Sequence, residues 1–171
     1  MAESKLDKPT IYRKVRHAVR LAQEEQYEDA LLLFEMYLPL LSPDNDEEGR
    51  LLAMSSSYCG LCLAKVRHRF TEALEYCRVS LSRDNDPDHR ANTALIYLGR
   101  GDRRRAIRHL FAGLKARPDH ARILGILQRI GTRRPPVIRF LKRGHPLNIL
   151  LGKIRARHSR PRGHGSPPSQ R

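Results

Sequence analysis

One short phrase recurs three times along this chain. Tyr27-Glu28-Asp29-Ala30-Leu31, Phe70-Thr71-Glu72-Ala73-Leu74 and Arg103-Arg104-Arg105-Ala106-Ile107 each open an apolar helical pattern with a small residue at the same place. Self-similarity over a few tens of residues marks stacked supersecondary units, none of which can bury its apolar face alone. Ala30, Leu33, Phe34, Tyr37, Leu38 and Leu41 fall at helical spacing in the first unit. Ala73, Cys77 and Leu81 do so in the second, and Ala106, Leu110, Gly113 and Leu114 in the third. A second small residue lies upstream each time: Ala18, Gly60 and Ala94. Gly60 to Ala94 spans 34 residues and Ala73 to Ala106 spans 33, whereas Ala30 to Ala73 spans 43. Residues are therefore added between the first two units, mainly around Leu41 to Leu52.

This pattern resembles the tetratricopeptide repeat (TPR) family, whose unit is a helix–turn–helix of about 34 residues. The third unit carries the likeness best. It runs Asn92-Thr93-Ala94-Leu95-Ile96-Tyr97-Leu98-Gly99-Arg100-Gly101-Asp102, then Ala106-Ile107, Gly113-Leu114 and Pro118. Small residues let paired helices approach, Tyr97 fills the gap between them, and Gly101 permits a left-handed turn that Asp102 caps. The first unit keeps Ala18, Leu21, Tyr27, Ala30, Phe34 and Tyr37, and the second keeps Gly60, Ala73 and Ser80. The aromatic residue common early in the first helix of such units is absent from all three, and the chain has no Trp.

The resemblance implies an all-α fold, a right-handed α-solenoid of about three TPR units plus a capping helix and a short C-terminal helix. Helices are expected near 10–24 and 27–38, 46–66 and 70–82, and 88–99 and 103–116. A seventh, about 119–131, closes the apolar end of the stack through Ile123, Leu124, Leu127 and Ile130. Pro39 is placed to kink or end the second helix. The expected division is an arm at 1–9, the solenoid with its cap at 10–131, a basic extension with a short amphipathic helix at 132–158, and a disordered basic tail at 159–171.

Charge divides the chain as sharply as pattern does. Residues 1–50 hold 7 basic and 11 acidic residues, and residues 101–171 hold 19 and 2. Such asymmetry suits an acidic partner for the C-terminal part, or a plain solvated basic surface. Arg133, Arg134, Arg139, Lys142, Arg143, Lys153, Arg155 and Arg157 are the candidate polyanion-binding residues. Leu147, Leu150, Leu151 and Ile154 form an apolar stripe among them that could meet a membrane, a partner or its own domain.

Catalytic signatures are wanting. No His-Glu-x-x-His, phosphate-loop or Gly-x-Ser-x-Gly pattern occurs, so a non-enzyme is expected. Cys59-Gly60-Leu61-Cys62, with Cys77 and His68, could supply four zinc ligands. The same cysteines could equally pack as small hydrophobes in a helix, and on that reading no metal or cofactor is expected. An odd number of cysteines and a start without an apolar leader fit a cytoplasmic location.

The resemblance further implies that a peptide or amphipathic helix of another protein lies in a groove made by the first helices. Aligned on Ala18, Gly60 and Ala94, that groove comprises Val15, Val19, Ser57, Leu61, Lys65, Ala91, Leu95 and Leu98. No small-molecule substrate is expected. The alternative is an electrostatic tether to RNA, ribosome or anionic membrane through the basic C-terminal region, with the repeats as scaffold.

Overall fold

The computed structural model describes residues 7–41 and 45–131. The chain divides into Met1–Ile130 and Gly131–Arg171, and the described elements lie in the first unit. They are α1 (Lys8–Gln23), α2 (Tyr27–Tyr37), a 3₁₀ turn (Leu38–Leu40), α3 (Asp46–Val66), α4 (Phe70–Arg83), α5 (Pro87–Gly99), α6 (Arg103–Ala116) and α7 (Ala121–Ile130). Among the described residues the fold is all-helical, without strands. Each helix expected before residue 131 is present, with ends moved by at most two residues. Of the expected arm, residues 1–6 lie outside the described residues while Lys8 and Pro9 already belong to α1; the extension, its amphipathic helix and the tail lie outside them too.

Local chemistry sets the boundaries. Asn45 precedes α3 in extended backbone, and its Oδ1 accepts from the Glu48 amide at 3.0 Å. Asp46, Glu47 and Glu48 follow in the first turn, where the helix dipole favours negative charge. Asp86 Oδ1 accepts from the Asp88 amide at 2.7 Å, with Pro87 in the first turn of α5. Asp102 Oδ1 accepts from the Arg105 amide at 2.9 Å. Pro39 has the expected effect: α2 stops at Tyr37 and a single 3₁₀ turn follows.

The repeat extends to the backbone dihedrals. Glu25, His68 and Gly101 stand two residues before α2, α4 and α6 with φ of 63°, 55° and 84°. The next residues, Gln26, Arg69 and Asp102, adopt φ/ψ of −82°/66°, −84°/67° and −84°/70°. Their carbonyls accept from the amides of Ala30, Ala73 and Ala106 at 3.1, 3.0 and 3.1 Å. One turn is thus used three times. It costs nothing at Gly101, whereas Glu25 and His68 hold a left-handed conformation that a Cβ disfavours.

Packing follows the same rhythm. α1 pairs with α2, α3 with α4 and α5 with α6, while α3 also lies against α1 and α5. The alanines that open α2, α4 and α6 are fully buried, as are Ala18 and Ala94. A Cβ on Gly60 would stand 2.6 Å from the Ala73 carbonyl oxygen, so the α3–α4 contact is backbone on backbone. Tyr97 links α5 to α6 by stacking on His109, with ring centroids 5.4 Å apart.

Two apolar clusters form among the described residues. The larger gathers Val15, Leu31, Phe34, Leu61 and Ile96 together with Cys59, Cys62 and Cys77. The smaller joins Ala91, Ala94, Ala106 and Leu110 to Ile123, Ile126 and Leu127 of α7. α7 therefore covers α5 and α6, but not with the expected face. Leu124 points to solvent, 44% exposed, and Ile126 takes its place. The inward set 123, 126, 127, 130 follows helical spacing, from which position 124 is rotated by about 100°. No described helix is long and apolar enough to cross a membrane.

Candidate binding cleft

Three clefts among the described residues run along α1, α3 and α5, and neighbouring ones share their walls. The first, about 490 Å³, lies between Tyr12, Arg13 and Arg20 of α1 and Glu47 and Glu48 of α3. Arg16 and Glu47 also line the second, about 340 Å³, which extends over Met54 to Asp84 and Asp86. Gln23, Tyr58 and Asp88 belong to the second and to the third, about 500 Å³, which ends at Arg117, Arg122 and Arg129. Shared walls make these a single trough.

Positions of one kind supply it. Counting back from Ala18, Gly60 and Ala94, the residues six and two places earlier are Tyr12 and Arg16, Met54 and Tyr58, and Asp88 and Asn92. Each pair is one helical turn apart, so both members share a face. Five of the six line the trough, and Asn92 is the buried anchor beneath it.

A hydrogen-bonded network fixes the middle. The Arg122 guanidinium donates to Asp88 Oδ1 at 2.9 Å and to Asn92 Oδ1 at 2.6 Å. It also donates to the Tyr58 hydroxyl at 3.3 Å and lies 5.5 Å from that ring's centroid. Gln23 Nε2 donates to the same hydroxyl at 3.3 Å, and Asn92 Nδ2 donates to Ser57 Oγ at 2.7 Å. His120 Nε2 stands 3.6 Å from Asp88 Oδ2. Four helices are thereby joined through side chains, and Arg122 satisfies the amide oxygen of a residue with no solvent access. Burial raises the Tyr58 phenol, the Arg122 charge opposing it, so the hydroxyl stays protonated. Tyr58 accepts both of its bonds here, which leaves its own hydrogen for another acceptor.

The expected groove residues stand elsewhere. Val15, Val19, Ser57, Leu61 and Ala91 are buried and offer no side-chain surface to a partner. Lys65 is exposed, its Nζ 5.6 Å from the Tyr27 ring centroid. Leu98 packs on the smaller cluster, and only Leu95 of the eight lines the trough. The cause is one residue of register. Positions three before and one after the small residue are core positions, and the trough position two before it lies one residue later than the first of these, about 100° round the helix. Polarity carried the signal: the expected positions hold mostly Val, Leu and Ala, whereas the trough positions hold Tyr, Arg, Met, Asp and Asn. Arg122, brought in by α7, had no signal in the repeat. The eight candidate polyanion-binding residues, Arg133 to Arg157, lie outside the described residues.

The cysteines sit inside the larger cluster as free thiols. Burial pushes Cys62 and Cys77 up to about 12 and Cys59 higher still. Among the described residues no group of three or more His, Cys, Asp or Glu side chains is arranged to hold a metal ion. No family model, curated protein or solved structure matches the chain.

Proposed function

We propose that this protein is a non-enzymatic interaction scaffold of the tetratricopeptide-repeat kind, a three-unit α-solenoid capped by α7, acting in the cytoplasm. Its ligand is a peptide or helical segment of another protein, held in the α1–α3–α5 trough. The observation that carries this reading is the equivalence of Tyr12/Arg16, Met54/Tyr58 and Asp88/Asn92 across three units. A repeated turn that presents one helical face again and again suits a ligand that is itself extended.

Charge along the trough narrows the ligand. Arg13, Arg16 and Arg20 stand at one end facing Glu47 and Glu48, with Arg16 paired to Glu47 at 2.9 Å; Asp84, Asp86 and Asp88 outnumber Arg50 in the middle, and Arg117 and Arg129 meet Glu25 and Asp119 at the other end. A segment with a basic centre complements the acidic middle. The Tyr58 hydroxyl is available to donate to a ligand carbonyl. No cofactor or substrate enters this reading.

The test is site-specific photo-crosslinking. A benzophenone side chain at Met54 should capture the partner, and one at Val79, exposed on α4, should not. Asp86→Lys should weaken binding about tenfold, by reversing a complementary charge. Equal capture from both positions would remove the trough as the site. The competing function is the electrostatic tether. It predicts instead that deleting residues 159–171 weakens partner binding and flattens its salt dependence.

A further inference from the structure

We propose that the outer face of α6 is a second binding site, for single-stranded RNA, distinct from the trough. Arg104, Arg108, Phe111 and Lys115 follow one another at spacings of four, three and four residues, so they share one stripe of the helix. All four are exposed, and Phe111 shows 54% of its surface to solvent. The inward stripe, Ala106, Leu110 and Gly113, is fully committed to α5 and α7. α6 contains no acidic residue. Asp102, just before it, is occupied as the cap and as the partner of Arg105. Arg104, Arg108 and Lys115 form no ion pair among the described residues.

What points to a ligand is the company Phe111 keeps, an exposed ring in line with Arg104, Arg108 and Lys115 on one stripe. The composition is that of a single-strand platform, where cations track phosphates and a ring stacks on a base. The stripe from Arg104 to Lys115 extends over roughly 16 Å of helix, room for a short run of backbone beside the stacked base. His109, on the same helix, is held down to about 4 by burial and by the charges of Arg90 and Arg108. A membrane is the poorer ligand, because interfacial helices bury a continuous apolar face and this stripe offers one apolar residue. Duplex nucleic acid is poorer too, as its bases are already stacked and give Phe111 nothing to meet.

The experiment uses the full chain with a fluorescently labelled U12 RNA across a salt series. Phe111→Ala should weaken binding about tenfold with the salt slope unchanged, in line with loss of one stacked base. Arg104→Gln/Arg108→Gln should weaken it and flatten the slope by about 1.4, because two phosphates are no longer neutralised. The chain has no Trp, so Phe111→Trp supplies a single reporter that should keep affinity and be quenched by the RNA. Wild-type affinity in Phe111→Ala overturns the proposal, as does an indole in Phe111→Trp that stays unquenched at saturation. So does Phe111-dependent binding to phosphatidylserine vesicles without Phe111-dependent binding to U12. Met54 crosslinking of a protein partner should be unaffected by Phe111→Ala, which separates this site from the trough.

Discussion

At the scale of single residues, the fold depends on places where a Cβ is absent or strained. Gly60 is the tightest: Gly60→Ala puts a methyl against a carbonyl oxygen of α4, backbone that cannot turn aside. Thermal melting should show a loss of about 1–3 kcal/mol, the usual range for overpacking. The three turns give a contrast of sign. Gly101→Ala places a Cβ at φ 84° and should cost about 1 kcal/mol. Glu25→Gly relieves the same strain at φ 63° and should raise the melting temperature slightly. A fall in both variants would mean that Glu25 contributes contacts worth more than its strain. The glycine turn was readable in the sequence because Gly-Asp is a turn signal in itself. The other two were not, since Glu25-Gln26 and His68-Arg69 carry no local mark and are imposed by the packing of the helices they join.

At the scale of elements, the helices were legible because three cues coincided: small residues at fixed intervals, apolar spacing, and capping residues at the starts. The face that lines the trough was not. Repeat alignment locates a helix, but its rotation is set by which neighbours it meets, and an error of one residue exchanged core for surface at Val15, Val19, Ser57, Leu61 and Ala91. The same uncertainty moved Leu124 outward and Ile126 inward on α7. α7 has two duties, since Ile123 and Ile126 close the smaller cluster while Arg122 ties α5 to α3. Ile123 is fully buried, and Ile123→Ala should cost about 2–5 kcal/mol. Because Arg122 leaves its place when α7 loosens, the hydrogen exchange of Asn92 side-chain protons should quicken in the same variant. Unchanged exchange would show that network and cluster are independent.

At the scale of the whole molecule, titratable groups bound the range of stability. His109 falls from its ordinary 6.5 to about 4 in the folded chain, by burial first and then by Arg90 and Arg108. Between those values only the unfolded chain takes up the proton, so stability should decline as pH drops from 6.5 towards 4. His89 is lowered too, chiefly by burial, and acts in the same direction. Cys62 and Cys77 rise from 9.0 to about 12. Above pH 9 the unfolded chain releases those protons first, so stability should decline again. Urea midpoints between pH 4 and 10.5 should therefore trace a plateau near neutrality with losses on both sides. The burial of the three thiols has one more consequence. An alkylating agent reacts only with thiolate, and these sulfurs become thiolate only when α3 and α4 come apart. In native buffer, the mass gained by reaction with iodoacetamide should accumulate in proportion to the fraction of molecules open, and in urea all three cysteines should react without delay. The chain thus carries its own gauge of how far its central helical pair stands unlatched, readable by mass at its native cysteines.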